Sequence, residues 1–341
     1  MDQKALVYKG CPPDHCCCDS TLRILPNGEF AVFFMTGGPI EPDIHNHVAM
    51  CRSNEPGLSW SRPPETVFRL EDRACLLSEA YVDGERIVIQ VTTHDGGFGR
   101  WENFTIESTD NGENWSEPEP FDPLPRRAFV RTRYVASWGE WYLPYQTYDT
   151  VEEWEVAPHQ DGSFQRPVNG VLISEDGGES WTVSEGVEGA KGWAENNVVE
   201  LSDGRMVMLM RSDGDGCLLR SDSTDRGRTW SGPERTDIPN PGSKFRLHRL
   251  SDGRIVLIHN PNPETSHPNT RRQAACQRNP LALWVSEDDM ESWGHRRVLT
   301  DFPGMLAYPD GVVGEEDCVH FAFDYNRHDV IYWGAELPAG A

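Results

Sequence analysis

Glu195 stands nine residues before Gly204, and Arg211 stands seven after it. A carboxylate and a guanidinium at such matched distances from a tight turn end side by side if the two flanks pair as a hairpin. The same ruler, laid on the other glycine turns, collects further side chains that could do chemistry. Lys244, Phe245 and Arg246 precede Gly253, and His259 and Asn260 follow it. Phe323 and Tyr325 follow Gly314. Cys18 and Asp19 precede Gly28, and the loop "GGPIEPDIHNHVAM" beyond that turn holds Asp43, His45 and His47. His94 falls in the matching place after Gly84, and Arg131 and Gln146 flank Gly139. A loop rich in His and Arg, "NPNPETSHPNTRRQAACQRNP", carries Arg278 near its end. Arginines, a Glu, an Asp, several His and a Tyr gathered in one mouth suit an anionic, hydroxylated ligand such as an acidic sugar.

The elements that must position these residues are legible as two interleaved repeats. The first is a glycine turn before or between apolar or alternating runs: "LPNGEFAVFF", "YVDGERIVIQ", "ASWGEWYLPY", "LSDGRMVMLM", "LSDGRIVLIH" and "VVGEEDCVHFAF". Asn-Gly and Asp-Gly between such runs signal hairpins, because tight hairpin turns need positive φ. The turn glycines are spaced by 56, 55, 65, 49 and 61 residues, enough chain for about four short strands per unit. The second repeat is Ser-x-Asp-x-Gly-x-x-Trp. It is intact at Ser108, Ser174 and Ser223, and eroded in "SNEPGLSW" and "SEDDMESW". In this box the Asp can bind local backbone N–H groups, the Gly can turn left-handed, and the Trp is expected in the core. It predicts a structural staple, repeated because each unit needs its own turn. Repeated four-stranded units read as an all-β, six-bladed β-propeller in a single domain over 1–341. The chain ends too soon after Gly314 for a full last blade, so residues 4–9 are expected to supply its outer strand.

The chain has 341 residues and a net charge of −24, with four Lys against 27 Arg. Such acidity argues against nucleic acid and against anionic membrane surfaces as partners. No apolar run is long enough for a membrane-spanning helix. The start "MDQKALVYKG" lacks the apolar stretch of a signal peptide, which gives a cytoplasmic expectation by default, or a periplasmic or secreted one if a signal was removed. Nine Cys, an odd number, do not read as a disulfide framework. "DHCCC" matches no zinc spacing, so Cys16, Cys17 and Cys18 are expected as small buried thiols on a strand, with no metal.

The boxes together with "ENNVVELSDGRMVMLMR" resemble the sialidase (neuraminidase) superfamily in its bacterial Asp-box, or BNR-repeat, branch. "TDIPNPGSKFRLHRLSDGRIVLIHN", "RNPLALWVSEDDMESW" and "LAYPDGV" are similar to that branch in order, so the resemblance spans nearly the whole chain. It implies exo-glycosidase activity on a terminal acidic sugar, with no cofactor. It also implies a Tyr nucleophile made basic by a Glu, an Asp acid/base on a loop, and three Arg that clamp the substrate carboxylate. Matched by motif, Glu195 in "WAENNVVEL" corresponds to the Glu, and Arg211 in "LMRSD" and Arg278 in "QRNPL" to two clamp arginines. Asp43 in "EPDIHNHVAM" corresponds to the acid/base, and Arg246 is expected to add substrate-binding charge. Two positions depart. The place of the remaining clamp Arg falls near Cys18, and Arg23 in "LRILP", close in letters, lies too near the turn by about five residues. Phe323 stands at the nucleophile position. Tyr325, two residues on, shares its sheet face and is the substitute.

Two other classes remain open at this level. A lyase on uronic-acid glycans would use a His or Tyr to abstract the proton beside an Arg-neutralised carboxylate. A non-catalytic glycan-binding propeller would keep the clamp alone.

Overall fold

The computed structural model describes residues 2–55, 57–124, 127–148, 167–264, 278–300, 302–314 and 318–339. Among them every regular element is a strand. β1 (Gln3–Lys9) is followed by a first antiparallel sheet of β2 (Cys17–Ile24), β3 (Phe30–Thr36), β4 (His47–Ser53) and β5 (Glu65–Phe68). The second contains β6 (Ala74–Asp83), β7 (Arg86–His94), β8 (Glu102–Ser108) and β9 (Glu119–Pro120). In the third, β10 (Ala128–Val130) and β11 (Tyr134–Val135) both pair with β12 (Trp141–Thr147). Its β13 (Val168–Ser174) pairs with β12, and β14 (Thr182–Val183) and β15 (Val187–Glu188) pair with β13. The fourth runs β16 (Asn196–Glu200), β17 (Met206–Met210), β18 (Cys217–Ser223) and β19 (Glu234–Pro239). The fifth runs β20 (Arg246–Arg249), β21 (Ile255–His259), β22 (Ala282–Ser286) and β23 (His295–Val298). The sixth is β24 (Leu306–Val313), β25 (Cys318–Tyr325) and β26 (Asp329–Glu336), with β1 on its outer edge against β26. Each sheet is a blade, and the fold is the all-β, six-bladed β-propeller that the repeats announce.

Two compact units divide the chain. One is Met1–Phe121 with Ala307–Ala341, holding blades one, two and six; the other is Asp122–Leu306, holding blades three to five. Within each unit the apolar core lies between neighbouring blades. Phe33, Met50, Leu77, Ile89 and Ile106 pack blade one on blade two. Val207, Leu209, Phe245, Leu257 and Trp284 pack blade four on blade five. Such two-sided burial explains why "MVMLM" and "IVLI" are continuous rather than alternating runs.

The box is a hydrogen-bonded staple. Ser174 Oγ donates to Asp176 Oδ1 (2.8 Å) and accepts from the Gly178 N–H (2.8 Å), while the Ser180 N–H donates to Asp176 Oδ1 (2.9 Å). The copies at Ser108, Ser223 and Ser286 repeat these bonds. In the last, Met290 takes the left-handed place of Gly with φ 66°. The copy at Ser53 does not repeat them: its hydroxyl donates to the Glu55 carbonyl (2.7 Å). The tryptophans are less buried than expected. Trp293 is buried, but Trp60, Trp115, Trp181 and Trp230 are half-buried lids at blade edges. A Trp in this box shields apolar side chains while one ring edge stays wet.

Candidate functional site

Glu195 immediately precedes β16 and Arg211 immediately follows β17, so the hairpin through Gly204 brings them opposite each other. The Arg211 N–H donates to the Glu195 carbonyl (2.9 Å). Arg211 Nη1 donates to both Glu195 carboxylate oxygens (2.8 and 3.1 Å), and its Nε donates to Asp213 Oδ1 (2.8 Å). Asp213 Oδ2 also accepts from the Trp193 N–H (3.0 Å). Glu195 and Arg211 are buried, with side chains only 3 and 4% exposed. Burial pushes the Glu195 carboxyl up, but Arg211, Arg131 and Arg278 outweigh it and hold the group below its usual range. Asp213 is shifted the other way, because there burial wins over its bond to Arg211. Tyr148 lies in the same cluster, its ring edge-on to Trp193 (5.3 Å between centroids). Burial raises its phenol, and the charge of Glu195 raises it further.

Arg278 is buried and donates from Nη2 to the Gly242 carbonyl (3.0 Å). Arg131 lies over the Phe129 ring at 4.9 Å. Three guanidinium groups therefore act on Glu195, against the two carboxylates of Glu195 and Asp213. A low-dielectric place with surplus fixed positive charge can receive a carboxylate. Arg246 is buried in the same unit, but its Nε donates to His248 Nε2 (3.2 Å).

Asp43 belongs to the other unit, in the loop between β3 and β4. Its Oδ1 accepts from the His45 N–H (2.9 Å) and meets His45 Nδ1 (2.8 Å); its own N–H donates to Asn46 Oδ1 (2.8 Å). Burial opposes ionisation, yet the bonds from His45 prevail and keep the carboxyl low. The loop is folded tightly over this group. A Cβ on Gly38, which has φ +71°, would lie 2.7 Å from the Asp43 carboxyl carbon.

Three aromatic residues of that unit, Phe323, Tyr325 and Tyr308, lie on its last blade. Phe323 is fully buried among Phe321 and Trp333 and serves the core. Tyr325 closes β25, half-buried, with its carbonyl accepting from the His328 N–H (3.2 Å). Tyr308 on β24 lies in "LAYPDGV", a stretch picked out by sequence without a role for its Tyr. It is nearly buried and has φ 58°, a left-handed conformation rare for an aromatic residue. The Arg327 guanidinium sits over its ring at 5.6 Å.

Cys16, Cys17 and Cys18 are buried free thiols, the latter two on β2. Burial pushes Cys17 up to about 12. Cys18 accepts from Arg327 Nη2 (3.0 Å), which also pairs with Glu41. Cys18, Asp19 and Glu41 place a donor atom each within 4.8 Å of one another, a set the sequence spacing did not reveal. Arg23 is structural. It donates to Glu79 (2.6 Å), Asp310 (2.9 Å) and the carbonyls of Ala80 and Leu22, tying together blades two, six and one.

The model of the family described as "BNR repeat-like domain" matches residues 42–321. The chain belongs to that family, within the sialidase superfamily. A sialidase from Paraclostridium sordellii is 30% identical over 223 residues, 60% of this chain and 50% of that protein. A sialidase from Micromonospora viridifaciens is 26% identical over 226 residues, 61% of this chain and 32% of that protein. The chain thus spans half or less of the length of these curated relatives. The Hadza microbial sialidase Hz136 superposes with a TM-score of 0.72 at 17% identity, over 94% of this chain and 66% of that one, which speaks for the fold alone.

Proposed function

We propose that the protein is a sialidase-like exo-glycosidase that removes a terminal carboxylated sugar from a glycan. The buried cluster of Glu195 with Arg211, Arg131 and Arg278 carries this reading, because it sets three guanidinium groups against the two carboxylates of Glu195 and Asp213. Arg211 and Arg278 bind the substrate carboxylate, and Arg246 adds charge. Glu195 acts as base and Asp43 as acid. The bonds from His45 hold the Asp43 carboxyl low and so mostly ionised at neutral pH, so in this role Asp43 acts from its minor protonated form. The nucleophile is a phenol. Tyr325 was the expected one, but Tyr308 is favoured by its strained backbone and the cation over its ring. The phenolic oxygen forms a bond to the anomeric carbon as the glycosidic C–O bond breaks, and the leaving oxygen takes the acid's proton. Water then hydrolyses the aryl glycoside. A neutral phenol approaches a centre beside a carboxylate with less repulsion than Asp or Glu would meet.

His94 and His259 make weak bases for a lyase, because burial pushes them down to about 4 and about 3. The decisive assay offers a fluorogenic sialoside beside uronic-acid glycosides to wild type and Glu195→Gln. Release from the sialoside, lost about 100-fold or more in the variant, is expected for a removed acid–base group. Silence on the sialoside with an unsaturated uronide product would replace this reading with the lyase.

A further inference from the structure

Cys16, Cys17 and Cys18 are adjacent in the chain, yet their thiols are not equivalent. Successive side chains of an extended segment point to opposite faces, so the outer two share one face and the middle one takes the other. Cys17 belongs to the apolar core, where its Sγ meets Thr36 Oγ1 (3.5 Å) and burial pushes it up. Cys16 and Cys18 meet each other instead, the Cys18 S–H donating to the Cys16 sulfur. Backbone bonds pin this segment. The Cys16 N–H donates to the Gly38 carbonyl (3.1 Å) and the Cys17 N–H to the Arg327 carbonyl (3.0 Å). Arg327 Nη2 donates to Cys18 Sγ (3.0 Å). The bond from Cys18 and the charge of Arg327 outweigh burial and hold the Cys16 thiol below its ordinary range. Burial, and then the bond it donates, push Cys18 up. The buried thiols of Cys51 and Cys75 are pushed up as well, to about 12 and about 11. Both members of the pair are buried, but the Arg327 side chain against Cys18 is 25% exposed, so the pair lies one residue below the surface.

We propose that Cys16 and Cys18 form a peroxide-sensitive dithiol that closes to a disulfide, with Cys16 as the attacking sulfur and Cys18 as the resolving one. The thiolate is the nucleophile of such chemistry, and a neighbouring cation and thiol donor favour it at Cys16. The Cys16 sulfur attacks one oxygen of hydrogen peroxide, the O–O bond breaks, and the departing oxygen leaves as water. The resulting Cys16 sulfenic acid is then attacked by the Cys18 sulfur, the S–S bond forms, and a second water leaves. The two thiols together lose two electrons and two protons, and the peroxide is reduced to water. Residues two apart lie at most about 7 Å from one another, the edge of what a disulfide spans. Cys16 stands just outside β2, where no strand pairing opposes the small bend that closes the ring.

The test treats the whole folded chain with hydrogen peroxide, then unfolds and alkylates it, reduces it, and alkylates it again with a second reagent before peptide mass spectrometry. In wild type the second label is expected on Cys16 and Cys18 and the first on Cys17, with the pair oxidised about tenfold or more faster than Cys51 or Cys75. Cys17→Ser should keep the linkage, and Cys16→Ser should lose it. Cys18→Ser should stop at a Cys16 sulfenic acid that dimedone captures. The wild-type labelling decides alone should a variant fail to fold. No linkage, linkage no faster than oxidation of Cys51 and Cys75, or a bond from either cysteine to Cys11 or Cys17 instead overturns the proposal. A sulfenic acid captured on Cys18 rather than Cys16 would overturn the assigned order of attack. None of these outcomes bears on turnover of a sialoside, so this inference and the glycosidase reading stand or fall separately.

Discussion

Arg211 holds Glu195 and Asp213 at once, inside a buried cluster. Removing it strands two carboxylates. Arg211→Met should therefore destabilise the protein by ~3–5 kcal/mol, the usual cost of an uncompensated buried charge, as read by urea unfolding. A loss under 1 kcal/mol would mean that the surrounding arginines already suffice. His94 and His259 make stability depend on pH. Their folded values, about 4 and about 3, lie below the ordinary 6.5. Below pH 6.5 the unfolded chain takes up protons that the fold refuses, so this contribution is full above 6.5 and lost as pH falls toward 4. Each histidine adds a slope of up to about 1.4 kcal/mol per pH unit in that window. Urea unfolding at pH 7, 6 and 5 checks this, and His94→Asn should flatten the slope.

At the scale of the element, the box is a device for ending one strand and starting the next. Ser174 Oγ, itself buried, both donates to Asp176 and accepts from Gly178. Ser174→Ala leaves the Gly178 N–H without its acceptor and should cost about 1–3 kcal/mol. Unchanged stability would make the box ornamental. Its hydrogen bonds hold Asp110 and Asp176 at about 2, through Asn114 and Ser180 first. The six hairpins and four of the five boxes were legible because each is a short-range pattern. A turn that needs positive φ selects Gly, and a strand repeat of two or a continuous apolar run declares its faces. The eroded copy at Ser53 shows the limit, since a Glu for Asp exchange rewired its bonds.

Across the whole molecule, a net charge of −24 is spread over a surface with few lysines. Self-repulsion of that size opposes compaction, whereas exposed ion pairs contribute little. Salt should then stabilise: the melting temperature is expected to rise between 10 mM and 0.5 M NaCl as the Debye length shortens. A fall would show that attractive pairs dominate.

The chain's own sequence determined the blades and the Glu195–Arg211 pair. One glycine turn separates the two residues, so hairpin register alone brings them together. Tertiary structure decided the contacts between residues far apart in the chain. Arg327 meets Cys18 across 309 positions, and Arg23 meets Asp310 across 287. Arg23 carried the right letters and proved to tie blades together. Arg327 carried no motif and proved to stand against Cys18, where an arginine was expected. The physical reason is common to both. Periodicity fixes which face of a strand a residue occupies, but the partner across a blade interface is set by how whole sheets twist and pack, which no local pattern encodes.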